Sequence, residues 1–167
     1  MNRNLILLSS ILLFITSCNQ ITKSKTIRDG EPDVYNIEGS DSKMNMAIEN
    51  AKKSIQQFQD ALKSNNPEYE YFSIKQRFDT PEGGEHIWIQ DIKLVDSQFI
   101  GILGNEPVNI KEVNFGDTIT VDNKKISDWM YFDKGKVKGG FTIKALRDEM
   151  SKEEQQIFDS ESGLIFE

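Results

Sequence analysis

Between residues 42 and 63 the apolar side chains Met44, Ile48, Ala51, Ile55, Phe58 and Leu62 recur at spacings of four, three, four, three and four. A helix puts such a series on one stripe, so the stretch predicts a long amphipathic helix with one face in a core. Asp41 or Ser42 can cap its start, and Asn65-Asn66-Pro67 ends it. From residue 69 onward the period drops to two. Phe72, Ile74 and Phe78 alternate with Ser73, Lys75 and Arg77, the pattern of a half-buried strand. A helix followed by a run of strands predicts an α+β domain.

The remaining strands follow from punctuation. Residues 82–84 turn the chain into a second strand over 85–95, where Ile87, Trp88 and Ile89 in succession imply that both faces are partly covered. Asp96-Ser97 joins it to residues 99–103 as a hairpin. Gly101 and Gly104 suit a bend or a close backbone approach there. Asn105-Glu106-Pro107 interrupts the sheet, and short strands are expected over 118–121 and 126–132, with turns at Asp122-Asn123 and Asp133-Lys134-Gly135. Phe141-Thr142-Ile143 reads as the last strand. Ser151, with Glu154 three residues on, forms a capping box for a short acidic helix. The expected architecture is one N-terminal amphipathic helix on a curved, mainly antiparallel sheet of about six short strands, closed by a short C-terminal helix.

The N-terminus carries an address. Residues 5–15 are apolar except for Ser9 and Ser10. They are too few to cross a hydrocarbon core of about 30 Å, which needs roughly 20 residues. Behind Arg3 they fit the apolar region of a secretory signal peptide. The run closes in Ile15-Thr16-Ser17-Cys18, which resembles the lipobox of bacterial lipoproteins. That resemblance implies cleavage before Cys18, diacylglycerol on its sulfur and acylation, by palmitate among other chains, of the new amino terminus. Several acyl chains, each contributing about 0.8 kcal/mol per buried CH₂, would anchor the chain to a membrane durably. Two other readings are conventional cleavage, for which no A-x-A-like site is present, and a buried element of a cytosolic protein. Cys18 is the only cysteine, so no intramolecular disulfide can form.

The chain thus divides into a signal peptide over 1–17, a lipidated cysteine and flexible tether over 18–40, a folded domain over 41–159 and a tail over 160–167. The tether is polar and turn-rich, without sustained periodicity. The expected location is the cell envelope, facing the periplasm. Asn19 behind the cysteine, rather than Asp, favours the outer membrane over the inner by analogy with sorting rules in some bacteria.

Several phrases occur in a particular order: Ser42-Lys43-Met44, Glu85-His86-Ile87-Trp88, then residues 101–107, Gly116-Asp117, Ile126-Ser127-Asp128-Trp129-Met130 and Gly139-Gly140-Phe141-Thr142-Ile143. Together they resemble domain-of-unknown-function family 2314, the YegJ-like proteins, over roughly residues 41–157. The Ser-Asp-Trp-Met and Gly-Gly-Phe-Thr phrases carry most of the resemblance. It implies a domain and brings no activity with it.

The chemistry on offer is narrow. The net charge of −7 repels phosphate backbones, which argues against nucleic acid as a partner. His86 is the sole histidine, so a histidine-rich metal site is excluded, and no cofactor fingerprint, P-loop or nucleophile elbow occurs. As a base, His86 would need a positioned carboxylate such as Glu85, Asp91 or Asp128. Asp128-Trp129 admits two readings. In one, Asp128 accepts backbone N–H groups in a turn while Trp129 fills the core. In the other, they are a rim carboxylate and an aromatic platform of a shallow pocket shared with His86 and Asn105. Three functions compete: a non-enzymatic module binding an envelope protein or small ligand, an envelope hydrolase using His86 and Asp128, and an immunity-type protein that blocks a toxin.

Overall fold

Helix α1 (Ser42–Lys63) forms where the spacing places it. Asp41 caps it, its Oδ1 accepting from the N–H groups of Lys43 and Met44 at 3.0 and 3.1 Å. Three of its four buried residues, Ala47, Ala51 and Ala61, are small, so the helix lies close to the sheet. The fourth is Phe58. Its fully buried ring meets Phe72, Phe99, Trp129 and Tyr131 with centroids 5.5 to 6.4 Å apart. This aromatic cluster is the centre of the core.

The computed structural model describes residues 24–26, 34–36, 41–81 and 83–166. The apolar run over 5–15, Cys18 and Asn19 lie outside the described residues. Within the segment read as a tether, strands β1 (Ser24–Thr26) and β2 (Val34–Asn36) pair antiparallel.

The main sheet has seven strands: β3 (Tyr69–Thr80), β4 (Gly83–Val95), β5 (Gln98–Leu103), β6 (Thr118–Thr120), β7 (Ile126–Asp133), β8 (Lys136–Gly139) and β9 (Ile165–Phe166). Their spatial order is β6-β5-β4-β3-β7-β8-β9, antiparallel except for the β8–β9 pair. Alternation along the strands sends Ile74, Ile87, Ile89 and Trp129 into the core under α1. It sends Ser73, Lys75, Trp88 and Gln90 to the opposite face.

Three expectations change. Phe141-Thr142-Ile143 is not a strand: it opens helix α2 (Phe141–Arg147). The reason lies at Gly139-Gly140, both at positive φ, which swing the chain out of the sheet beside the first half of β7. The strand before that swing, β8, follows the turn at Asp133-Lys134-Gly135 and was not foreseen. The residues read as a tail are structured: α3 (Lys152–Ser162) runs past position 160, and β9 then adds a strand beside β8. The capping box of α3 forms with both bonds present, Ser151 Oγ accepting from Glu154 N–H and Glu154 accepting from Ser151 N–H. Arg147 of α2 clamps α3 with a double hydrogen bond to Asp159, both contacts at 2.6 Å.

Of three bulges in the sheet, one sets Ser127 of β7 out of register and two shape the face away from α1. Each inserts one extra residue, in β3 between Glu70 and Ser73 and in β4 between Gln90 and Lys93. Tyr71 and Asp91 occupy them at φ +55° and +52°. Opposite the second bulge sits Gly101, where any Cβ would overlap the carbonyl oxygen of Gln90 and meet Ile89 and Ile92.

Candidate functional site

Asp128 is fully buried and its carboxylate is filled. Oδ1 accepts from the N–H groups of Trp129 and Phe141 at 2.8 and 3.1 Å. Oδ2 accepts from the N–H and hydroxyl of Thr142 at 2.8 and 2.6 Å. Glycine at position 140 has no side chain with which to cap α2, and Asp128 supplies the missing acceptor from a strand thirteen residues away. Burial pushes its pKa up, opposed by the Thr142 hydroxyl, the charge of Lys75 and the N–H groups of Thr142 and Trp129.

Trp129 is 2% exposed, with its Nε1–H donating to the carbonyl of Ala51 at 2.9 Å. Its ring packs on Phe58, Tyr131 and Phe141. Asp128 and Trp129 therefore lie inside the fold rather than at a rim, one as a tertiary helix cap and the other as core.

His86 points elsewhere. Its Nδ1 lies 2.8 Å from Ser127 Oγ, and Ser127 Oγ donates to the carbonyl of Lys75 at 3.2 Å. The serine hydroxyl lies within reach of two acceptors, the nearer being the imidazole, and the ring tautomer follows from which of them takes its proton. The imidazole pKa is pushed down to about 4 by burial of the ring, then by the positive charges of Lys75, Arg77 and Lys52. The residue as a whole is exposed, so water screens part of this effect; the direction is a ring neutral at pH 7.

The hydrolase pairing is not assembled. No hydrogen bond joins His86 to Asp128 among the described residues, and every donor on Asp128 is structural. Glu85 is engaged too, its carboxylate accepting from the N–H groups of Val108 and Asn109 at 2.8 and 2.9 Å. That contact ties down the loop bearing Asn105, which makes no hydrogen bond to His86, Asp128 or Trp129 among the described residues. No group of three or more His, Cys, Asp or Glu suited to a metal ion occurs among the described residues.

The described residues also form two shallow, open concavities: one of about 340 Å³ at Arg147, Asp159, Leu164, Ile165 and Phe166, and one of about 320 Å³ on the face away from α1, lined by Tyr71, Ser73, Gln90, Asp91, Met130 and Phe132. Tyr71 is 71% exposed and stands edge-on to Phe132, centroids 5.6 Å apart. The two bulge residues held at positive φ are thus both on this one surface. A left-handed backbone at a non-glycine residue costs about 1–2 kcal/mol, and such strain tends to collect at ligand sites. Aspartate takes the left-handed region more readily than most residues, whereas tyrosine does not, and both positions sit within strands.

A family profile described as "Uncharacterized protein conserved in bacteria (DUF2314)" matches residues 41–166. The chain belongs to the DUF2314 family. In this DUF2314 domain the matched span runs from the cap of α1 to β9, and so includes both the Asp128–α2 junction and the concavity. Two curated relatives share the sequence. The chain is 31% identical over 149 residues to "Uncharacterized protein YegJ" of Escherichia coli K12, covering 89% of this chain and 92% of that protein. It is 33% identical over 145 residues to a "Putative ankyrin repeat protein" of Neisseria meningitidis serogroup B, covering 82% of this chain. The match spans 57% of the Neisseria protein's length. No solved structure matches the DUF2314 chain.

Proposed function

We propose that this chain is a lipid-anchored, non-enzymatic binding module of the bacterial cell envelope, facing the periplasm, and that it binds through the concavity between the two bulges. The observation that carries the reading is the convergence of Tyr71 and Asp91, both at positive φ, on one surface of the sheet. Four other non-glycine residues take positive φ, Asn65, Asp96, Ser97 and Lys134, and all lie in turns, whereas Tyr71 and Asp91 lie within strands. The packed and hydrogen-bonded state of Asp128, and the lack of a carboxylate hydrogen-bonded to His86 among the described residues, also favour binding over hydrolysis.

The reading makes a paired prediction. Asp91→Gly relieves the left-handed strain, and no hydrogen bond holds the Asp91 side chain among the described residues. Set against the extra flexibility of glycine, the variant gains about 0.5–1 kcal/mol, or roughly 2–4 °C in Tm. It should bind less well while melting higher. Crosslinking in whole envelopes, with Tyr71→Ala and Asp91→Gly as controls, reads the binding half, and calorimetry reads the other. A variant that melts higher and crosslinks as the parent does would remove the concavity from consideration.

The anchor has its own test. The lipobox-like Ile15-Thr16-Ser17-Cys18 supports attachment at Cys18. Cells fed an alkyne-bearing palmitate should label the parent chain and leave Cys18→Ala unlabelled, with the variant moving to the soluble fraction. Equal labelling of both would refute the anchor.

A further inference from the structure

We propose that the β3–β4 strip beside the concavity binds a small organic anion, its carboxylate or phosphate held by Lys75 and Arg77 and its ring laid against Trp88. The proposal rests on the binding face inferred above and adds the class of ligand. Register brings the residues together: Lys75 stands directly across from Trp88, and Arg77 directly across from His86. Residues two apart on a strand share a face at roughly 7 Å, and cross-strand partners lie about 5 Å apart. The four side chains form a block the size of a small ring-bearing molecule. Ser73 and Gln90 continue the same face into the concavity.

Charge marks the block out. The chain is acidic, with net charge −7, yet two cations of this strip, Lys75 and Arg77, both act on His86. Such a cluster repels a metal ion and attracts an oxyanion. Arg77 keeps donors in hand. One terminal nitrogen bonds the carbonyl of Gly83 and pairs with Asp79, each at 3.3 Å, leaving most of a five-donor fork for a ligand.

Lys75 is the stronger sign. An ammonium has three N–H groups, and among the described residues this one donates only to Thr142 Oγ1, at 3.2 Å. The carboxylate acting on it, Asp128, already accepts four hydrogen bonds. The Lys75 nitrogen lies over the Trp88 ring, 5.3 Å from its centroid. Burial pushes the Lys75 pKa down, with Asp128 opposing. Lys75 is half-buried, and an oxyanion settling beside Trp88 would satisfy the donors that Thr142 leaves free.

The test uses the ¹⁵N-labelled full chain in neutral detergent. The chain has two tryptophans, and their indole N–H signals separate the strip from the core. Phenyl phosphate and benzoate should shift the Trp88 indole saturably and leave that of Trp129 in place. Lys75→Met and Arg77→Gln should each weaken binding about tenfold or more. Arg77 is half exposed, so its variant carries the test if Lys75→Met fails to fold by its melting curve. Phenyl glucoside, neutral, is the comparator. If it shifts Trp88 and Tyr71 as strongly as the anions do, the face binds ligands and the anionic assignment is overturned. If no probe moves either residue, the binding face falls with it.

Discussion

Asp128→Ala should destabilise the domain by about 4 kcal/mol, out of a total that for a domain of this size is about 5–15 kcal/mol. The substitution orphans four donors at once: the N–H groups of Trp129, Phe141 and Thr142, and the Thr142 hydroxyl. Each buried unsatisfied donor costs about 1–3 kcal/mol, and water entering the space left by the carboxylate recovers part of the sum. Asp128→Asn keeps the shape and one carbonyl oxygen. It sets an NH₂ group against the N–H and O–H of Thr142, and about 2 kcal/mol of loss is expected. Urea titrations followed by circular dichroism measure both. Amide exchange at Phe141 and Thr142 should accelerate in the alanine variant before exchange within α1 does. A loss below about 1 kcal/mol for Asp128→Ala would mean that something other than this carboxylate holds α2 to the sheet.

Gly139→Ala should cost about 3–4 kcal/mol, for two independent reasons. The backbone there sits at φ +77°, which an L side chain accepts at about 1–2 kcal/mol. The new methyl would also overlap the carbonyl oxygen of Trp129 and come within 2.7 Å of its indole carbons. Neither can give way. The carbonyl accepts from Gly140 N–H at 2.8 Å, and the indole is fixed by Ala51 and packed on Phe58. Gly135→Ala is the control for conformation alone: φ is +76° and nothing lies within 4 Å of the added carbon. It should cost about 1–2 kcal/mol, and the difference between the two melts isolates the steric part. Equal losses would show that the Trp129 contact relaxes at no cost.

Local signals were legible wherever one residue's neighbours in sequence decide its fate. The stripe of α1, the hairpin through Asp96-Ser97 and the capping box at Ser151 are of that kind, and each forms in place. Helix α2 was misread for the opposite reason. Phe141-Thr142-Ile143 has the β-branched and aromatic look of a strand, and the acceptor that makes it a helix start comes from Asp128 on β7, which no local pattern reveals. Asp128-Trp129 admits two readings in sequence, because nothing local says whether carboxylate and indole face solvent or core; the fold places both inside. The bulge residues were invisible. Tyr71 and Asp91 break the alternation by one position each, and a one-residue insertion in a strand of twelve or thirteen leaves the pattern readable on both sides. Lys75 looked like an ordinary outward residue of β3; only the register shows that Trp88 and Thr142 enclose it.

The order of strands carries one more consequence. The two longest, β3 and β4, with twelve and thirteen residues, lie inside the sheet, and its margins are β6 and β9, with three and two. Margins that short, with the uncovered first half of β4 partly capped by the Glu85 contacts to Val108 and Asn109, limit the unpaired backbone groups offered to a neighbouring molecule. The lipid anchor proposed above would hold the chain in a thin layer with its own copies, at concentrations that bulk solution seldom reaches. Under that crowding, long free margins would zip one copy to the next into fibres. Stub margins let the copies jostle in a packed layer and come apart again.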